Sequence, residues 1–135
     1  MTLIDTSAWV EFLRGTGSKT HREVRRLLAE DALIHTTDVV VMELLAGARD
    51  GEHEQQLRRL LGRCDYLPIE GLAGYEAAAS IYRACRRAGA TVRALTDCLI
   101  AGVALRAGTP VLHNDRDFDV LARYTAVATR RGEPG

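Results

Sequence analysis

The stretch TLIDTSAWVEFL, residues 2–13, carries the clearest fold signal in the chain. A short apolar run ends at Asp5, two hydroxyl residues follow, and a second apolar-rich run begins directly after them. This order is typical of a buried strand that leads into a helix. A carboxylate beside core sequence is energetically costly when it is buried without a partner. Asp5 is therefore either an unfavourable residue or part of a site, and the rest of the chain decides between the two.

Short apolar runs and longer helical patterns alternate along the chain. After residues 2–5, the predicted strands are 32–37, 65–69, 110–115 and 124–129, and the predicted helices between them are 18–30, 38–48, 52–63, 72–88 and 96–107. This alternation predicts an α/β fold with three layers, in which a parallel sheet of about five strands has helices on both faces. Thr96 is the predicted N-cap of the last helix, and Gly108 is its predicted end.

Composition and length predict one ordinary globular domain. The chain has 135 residues, of which 47% are apolar and 27% charged, so we expect a single domain over 1–135 with a flexible tail at 130–135. No apolar run approaches the roughly 20 residues of a membrane helix. No leader pattern precedes the first strand, so we expect a cytoplasmic protein. The three separated cysteines indicate neither a zinc site nor a disulfide framework.

Acidic residues follow two of the predicted strands. Asp5 ends the first strand, and Asp115 and Asp117 follow the fourth apolar run in HNDRDFD. In open parallel sheets, ligands bind beyond the carboxyl ends of the strands where the strand order reverses. We therefore expect these acids at one edge of the sheet, provided that their strands are neighbours.

Two more acids lie in apolar helical segments. Glu43 belongs to TDVVVMELLAGA, and its neighbours three and four positions away are all small or apolar. Asp97 opens TDCLIAGVALRAG, and no further charge follows before Arg106, so this helix is predicted to be buried. Taken alone, Asp97 is explained by the helix dipole, and Glu43 by an ion pair with an arginine.

Four of these acids taken together indicate a cation site: Asp5, Glu43, Asp97 and Asp115. Clustered carboxylates raise each other's pKa, and a divalent cation removes that cost. Oxygen ligands without histidine or cysteine favour Mg²⁺ or Mn²⁺. Such a centre is suited to phosphodiester hydrolysis, because the metal polarises the phosphoryl oxygen and lowers the pKa of a bound water. We interpret His113 as a structural residue or one that supports a ligand.

Four segments resemble the PIN domain, and more narrowly the VapC-type toxins of bacterial toxin–antitoxin pairs. They are LIDTSAWVEFL, VVVMELLAG, RALTDCLIAGVA and HNDRDFDVLA, and they follow the family's order and spacing over essentially the whole chain. The resemblance implies a Mg²⁺- or Mn²⁺-dependent endoribonuclease. It assigns the catalytic and metal-binding acids as Asp5, Glu43, Asp97 and Asp115, with Asp117 as an additional metal ligand. Many members carry a hydroxyl residue where this chain has His113.

The resemblance also implies supporting residues and partners. Thr6 and Ser7 match the hydroxyl pair after the first acid, and we expect them to hydrogen-bond to backbone and carboxylate groups. The implied partners are a small VapB-like antitoxin that covers the active-site groove, an RNA substrate and a second copy of the chain. Candidate contacts to RNA phosphates are Arg14, Arg49, Arg86, Arg87, Arg93 and Arg116, chosen because they lie near the site in sequence. The alternative for Arg86 and Arg87 is a solvated helix end, where their charge is favourable to the helix dipole.

Other interpretations fit the sequence less well. A receiver domain requires a lysine after its last strand, and the single lysine is Lys19 in an early helix. A haloacid-dehalogenase phosphatase requires an acid where Ser7 stands. No glycine-rich loop follows the first strand, as a nucleotide-binding domain would need. A housekeeping PIN-type ribonuclease and a non-catalytic acidic interaction domain stay open as alternatives.

Overall fold

The computed structural model describes residues 1–133 and contains the predicted alternation of strands and helices. The strands are β1 (Thr2–Ile4), β2 (Ile34–Thr36), β3 (Asp65–Tyr66), β4 (Val111–Leu112) and β5 (Thr129–Arg130). The helices are α1 (Thr6–Leu13), α2 (Lys19–Ala29), α3 (Asp38–Ala46), α4 (Gly51–Leu61), α5 (Gly71–Arg87), α6 (Leu95–Ala107) and α7 (Arg116–Tyr124). The prediction of a three-layer α/β fold with a five-stranded parallel sheet is confirmed.

The order of the strands reverses between β1 and β4. The sheet runs β3-β2-β1-β4-β5, and all four pairings are parallel. Leu3 is in register with Val111 and Ile4 with Leu112, and the Asp5 N–H donates to the Leu112 carbonyl at 2.9 Å. The chain after β1 and the chain after β4 therefore leave the sheet side by side, as a ligand-binding edge requires.

The core lies between the central strands and the helices that cover them. Leu3, Ile4, Val111 and Leu112 are fully buried, as expected for central strands covered on both faces. Helix α6 is buried almost all round, as its sequence predicts, through Cys98, Ile100, Ala101, Val103 and Ala104. The helix that carries Asp97 is consequently fixed against the sheet.

The start of α6 differs from the prediction. Ala94, and not Thr96, occupies the N-cap position, and it has no side chain that can cap the helix. Instead, Asp117 Oδ2 accepts hydrogen bonds from the backbone N–H groups of Arg93 and Ala94, each at 3.0 Å. A carboxylate from another element thus binds the donors ahead of the helix, a contact that spacing along the chain does not reveal. The predicted end of the helix at Gly108 is confirmed, with φ at 66°.

The C-terminal region is more ordered than the predicted tail. Residues 116–124 form α7, which the sequence did not reveal as a helix, and the fifth strand lies at 129–130 rather than at 124–129. Arg130 pairs with the buried Glu23 and donates to the Thr2 hydroxyl at 2.9 Å. A tail starting at residue 130 is therefore wrong for Arg130, and residues 134 and 135 of that prediction lie outside the described residues.

Two expectations from the sequence concern membrane-spanning helices and the role of the cysteines. Within residues 1–133, no helix is long and apolar enough to cross a membrane. Cys85 and Cys98 are buried and Cys64 is half-buried. Burial raises the pKa of each thiol, so the predicted role as small packing residues fits their surroundings.

Candidate metal centre at the carboxyl edge of the sheet

Asp5 is a buried carboxylate with one committed oxygen and one free oxygen. It is the N-cap of α1, and its Oδ2 accepts from the Ser7 N–H at 2.9 Å and from the Ser7 hydroxyl at 2.5 Å. Its Oδ1 is buried and has no hydrogen-bond partner among residues 1–133. Burial, assisted by the charges of Glu43 and Asp115, raises the pKa of Asp5 to about 6 against the lowering effect of Ser7.

Ser7 connects the ends of the two central strands. Its hydroxyl donates to Asp5 and accepts from the Asn114 backbone N–H at 2.8 Å. One side chain thus fixes the carboxylate that follows β1 to the loop that follows β4. This connection positions Asp5 Oδ1 relative to the acids of that loop.

Asp97 lies in the first turn of α6 and is 6% exposed. Its Oδ2 is buried and lacks a hydrogen-bond partner within the described part of the chain. Burial raises the pKa of Asp97 to about 9, and the charges of Asp5 and Asp115 add to this rise. Without a cation, the side chain is protonated at neutral pH.

Three carboxylates form a compact group, which we call the acid triad: Asp97, Asp115 and Asp117. One oxygen from each lies within 4.8 Å of the other two. Asp115 is the N-cap of α7, and its Oδ1 accepts from the Asp117 N–H at 2.9 Å. The start of α6 and the start of α7 therefore bring together acids that are 18 and 20 residues apart.

Asp117 is already well supplied with hydrogen-bond donors. Besides the two backbone N–H groups before α6, the Arg93 Nε lies 3.3 Å from its Oδ1. The side chain is 2% exposed. Asp117 therefore supports the start of α6, and with it Asp97, in addition to belonging to the acid triad.

The surroundings of Glu43 differ from those that its sequence neighbours predict. The apolar neighbours indicate a buried acid, but Glu43 is exposed, and so is Met42 next to it, at 59%. This part of α3 faces solvent. When a helix is apolar on all sides, its sequence does not show which side is exposed in the fold. The Thr6 hydroxyl donates to Glu43 Oε1 at 2.8 Å, which holds the carboxylate beside the end of β1.

These residues fit a hard divalent cation. Asp5 Oδ1 and Asp97 Oδ2 are buried acceptors that no donor among residues 1–133 reaches, and such atoms are costly unless something binds them. The available ligands are carboxylate oxygens alone, which suit Mg²⁺ or Mn²⁺. A cation would bind Asp97 and Asp115, with Asp5 nearby and with Glu43 at the outer edge.

Comparison of the sequence with models of known protein families identifies the family of this chain. The model of the PIN domain matches residues 2–124, nearly the whole described chain. This chain belongs to the PIN-domain family. The four sequence segments that resemble the family lie around the acidic edge of the sheet.

Curated relatives place this PIN domain close to the VapC ribonucleases. It is 51% identical over 126 residues to VapC ribonuclease Mb1587 of Mycobacterium bovis and to Ribonuclease VapC11 of Mycobacterium tuberculosis. In both comparisons the alignment covers 93% of this chain and 94% of the relative. The resemblance seen in the sequence is confirmed.

Solved structures share the fold of this PIN domain at low sequence identity. VapBC2 from Rickettsia felis, bound to a DNA fragment from the promoter, has a TM-score of 0.75 at 16% identity and covers 96% of each chain. VapC20 of Mycobacterium tuberculosis, a toxin that cleaves the sarcin-ricin loop, has a TM-score of 0.63 at 19% identity and covers 95% of this chain and 99% of its own. These likenesses support the architecture.

The candidate arginines of this PIN domain occupy different environments. Arg14 and Arg49 line a cleft of about 450 Å³ together with Thr6 and Glu43. Arg93 binds the acid triad, and Arg116 begins α7 beside it. Arg86 and Arg87 lie in the last turn of α5, where the Arg86 guanidinium is 5.8 Å from the centre of the Tyr82 ring. Within residues 1–133, neither of these two arginines pairs with an acid of the site.

His113 is part of the packing below the site. It is 1% exposed, and its ring lies 5.2 Å from the Phe118 ring, measured between centroids. Its Nδ1 accepts from the Asp115 N–H at 3.1 Å. Burial, followed by the charge of Arg131, lowers the pKa of His113 to about 4, so the ring is neutral at physiological pH. His113 supports the loop that carries Asp115.

Sequence reasoning missed two contributors to the site. Asn114 donates its backbone N–H to Ser7, and Arg131 pairs with Asp119 at 2.5 Å while donating to the Asn114 side-chain oxygen at 2.9 Å. Backbone contacts of this kind leave no side-chain signature. The Arg131 contacts join residues 12 and 17 positions apart, and only the position of β5 beside β4 reveals them.

Proposed function

We propose that this PIN domain is a Mg²⁺- or Mn²⁺-dependent endoribonuclease and the toxin of a type II toxin–antitoxin pair. One observation carries the proposal: Asp5 Oδ1 and Asp97 Oδ2 are buried and have no donor in the described part of the chain. They belong to acids whose charges interact at the edge where the strand order reverses. The relatives at 51% identity are named ribonucleases, which supports RNA as the substrate.

Each acid has a distinct part in the proposed reaction. When bound, the metal would polarise a phosphoryl oxygen and lower the pKa of a water molecule. Asp97 and Asp115 would hold it, and Asp5 would bind it directly or through water, oriented by Ser7. Glu43, held by Thr6 at the solvent side, would orient a water at the edge of the cleft. Asp117 would keep the start of α6 in place and would supply an additional ligand to the metal.

The cleft beside Glu43 provides a path for RNA. Val10, Leu13 and Leu44 form apolar parts of its wall, while Arg14 and Arg49 supply positive charge. Neither arginine has an acidic partner within 4.0 Å among the described residues, so both guanidinium groups are available to phosphates. Arginine suits this role because its planar fork matches phosphate geometry. The remaining arginine candidates stay predictions.

The same cleft is suited to inhibition by an antitoxin. The apolar wall and the flanking arginines would bind a segment of the antitoxin, which would cover the acids and exclude RNA. The solved VapBC structures are complexes of toxin and antitoxin, which supports a partner of this kind. A homodimer and a cytoplasmic location stay predictions from the sequence. A housekeeping ribonuclease in RNA processing is the alternative, and the acids suit it equally well.

Two experiments test this proposal. Purified protein should cleave single-stranded RNA with Mn²⁺ or Mg²⁺, stop with EDTA, and lose cleavage in Asp97→Asn. Asp31→Asn is the matched control, because the Asp31 side chain is 98% exposed. Cleavage that is unaffected by chelation would refute the metal-dependent activity. Growth arrest on induction that an adjacent small gene relieves would identify a toxin, whereas harmless induction would favour the housekeeping role.

A further inference from the structure

Arg93 joins two carboxylates of the acid triad. Its Nε lies 3.3 Å from Asp117 Oδ1, and a terminal nitrogen lies 3.6 Å from Asp115 Oδ1. Its side chain is nevertheless 59% exposed. The Arg93 backbone is fixed separately, because its N–H donates to Asp117 Oδ2 at 3.0 Å. The guanidinium can therefore move without releasing the loop before α6.

The guanidinium and a metal ion at the acid triad need two of the same carboxylates, those of Asp115 and Asp117. Asp115 Oδ1 and Asp117 Oδ1 face Arg93, while the carboxylates of both residues group with Asp97 within 4.8 Å. The contacts of Arg93 are long, at 3.3 and 3.6 Å, and its guanidinium is exposed although Asp117 is buried. Ion pairs with an exposed partner contribute little free energy. A divalent cation, with twice the charge, is able to displace them.

Arg93 differs from the nearby Arg116 in contacting the carboxylates of the acid triad. Arg116 stands between Asp115 and Asp117 in sequence and is exposed, but among residues 1–133 it pairs with no acid. Both side chains carry one positive charge near the triad. Only Arg93 occupies the carboxylate oxygens themselves.

We propose that Arg93 is an internal counter-cation of the acid triad, which competes with the divalent metal for Asp115 and Asp117. It thereby weakens metal binding and sets the metal concentration at which the site fills. This inference rests on the proposed function, because it takes the triad as the metal site. It assigns Arg93 a role in metal affinity rather than the RNA contact expected from its place in the sequence.

Mn²⁺ titration of the full chain tests the role of Arg93. Free Mn²⁺ is measured by electron paramagnetic resonance, and heat of binding by calorimetry, for wild type, Arg93→Met and Arg116→Met. Arg93→Met should bind Mn²⁺ about three- to tenfold more tightly, because the competing ion pairs are lost. Arg116→Met should change the Kd less than twofold, since it tests the nearby charge without direct contact.

Two results would overturn the inference. Equal effects of both substitutions would show a general charge effect, and weaker binding by Arg93→Met would show that Arg93 holds the ligands in place. Arg93→Lys provides a second variant, whose Kd should lie between wild type and Arg93→Met; circular dichroism checks that each variant is folded. If wild type binds no Mn²⁺ at millimolar concentration, the proposed function itself fails, which is a different outcome from equal binding by all variants.

Discussion

Ser7 decides which oxygen of Asp5 is free. The serine N–H and hydroxyl both donate to Asp5 Oδ2, at 2.9 and 2.5 Å, while Oδ1 lies buried without a partner in the described chain. The same hydroxyl accepts from the Asn114 N–H. The carboxylate is thus pre-oriented by a residue two positions away and tied to the neighbouring strand end. Asp5, unfavourable as an isolated core residue, is thereby oriented for its proposed role as a metal ligand.

Ser7→Ala should weaken metal binding and catalysis together. Residues that orient ligands typically contribute about 10- to 100-fold in metal affinity or activity, and we expect a loss in that range. The measurements are the Mn²⁺ Kd and the kcat for RNA cleavage. Ser80→Ala, an exposed serine on α5, is the control. Wild-type values for Ser7→Ala would show that Asp5 needs no orientation.

The free energy of unfolding in EDTA should fall as pH rises from about 4 to about 9. Burial raises the pKa of Asp5 from 3.8 to about 6 and that of Asp97 from 3.8 to about 9. The native state therefore binds more protons than the unfolded state in this window, and stability present below pH 4 is lost as pH rises through the folded-state values. Urea denaturation at pH 5, 7 and 8.5 measures the slope.

The variant Asp5→Asn/Asp97→Asn isolates the origin of that slope. Asparagine resembles the protonated carboxyl, so the variant should be more stable than wild type at pH 7 by about 2–4 kcal/mol and should lose most of the dependence on pH. A slope that is unchanged in the variant would assign the pH dependence to other groups.

Mn²⁺ should stabilise the wild-type fold and fail to stabilise Asp97→Asn. Binding to the native state alone adds about 2.7 kcal/mol at a ligand concentration 100 times the Kd. Thermal unfolding with increasing Mn²⁺ measures the effect as a rising Tm. The exposed-site control Asp31→Asn should follow wild type. An equal rise in Asp97→Asn would place the bound metal elsewhere.

The buried ion pair of Glu23 should anchor the C-terminal strand. Burial acts to raise the pKa of Glu23, but hydrogen bonds from Arg26 and Arg130 lower it below its usual value. Arg130→Leu should destabilise the fold by about 2–4 kcal/mol, because it leaves the buried Glu23 carboxylate with Arg26 as its only ion-pair partner among residues 1–133. Urea denaturation compares it with Arg59→Leu on the exposed face of α4. A loss below about 0.5 kcal/mol for Arg130→Leu would contradict the anchoring role.

The sequence predicts the fold because its signals are local and agree with one another. Apolar runs ending in acids give the strands, and the charge-poor segment after Asp97 gives the buried helix. The sequence does not indicate α7, because RDFDVLARY is short and begins with three charges in four residues. The ordered C-terminus was missed because Arg130 is held by Glu23, 107 residues away.

The sequence indicates which acids belong to the candidate site, but it does not indicate which of them lie next to one another. Strand ends identify Asp5, Asp115 and Asp117, and the apolar context marks Asp97 and Glu43. Which acids form the compact triad depends on how the starts of α6 and α7 pack together. Likewise, Arg93 contacts carboxylates because Asp117 accepts from the backbone before α6, and no sequence pattern contains that contact.

Anomalous diffraction from crystals soaked in Mn²⁺ would show directly whether the acid triad binds the metal. We expect a peak at the acid triad, with Asp97 and Asp115 as direct ligands and with Asp5 Oδ1 facing the ion. Carboxylate–metal distances should be about 2.0–2.2 Å, as for octahedral oxygen ligation. The peak should be lost in Asp97→Asn. A wild-type crystal with Mn²⁺ bound only away from Asp5, Asp97 and Asp115 would contradict the account.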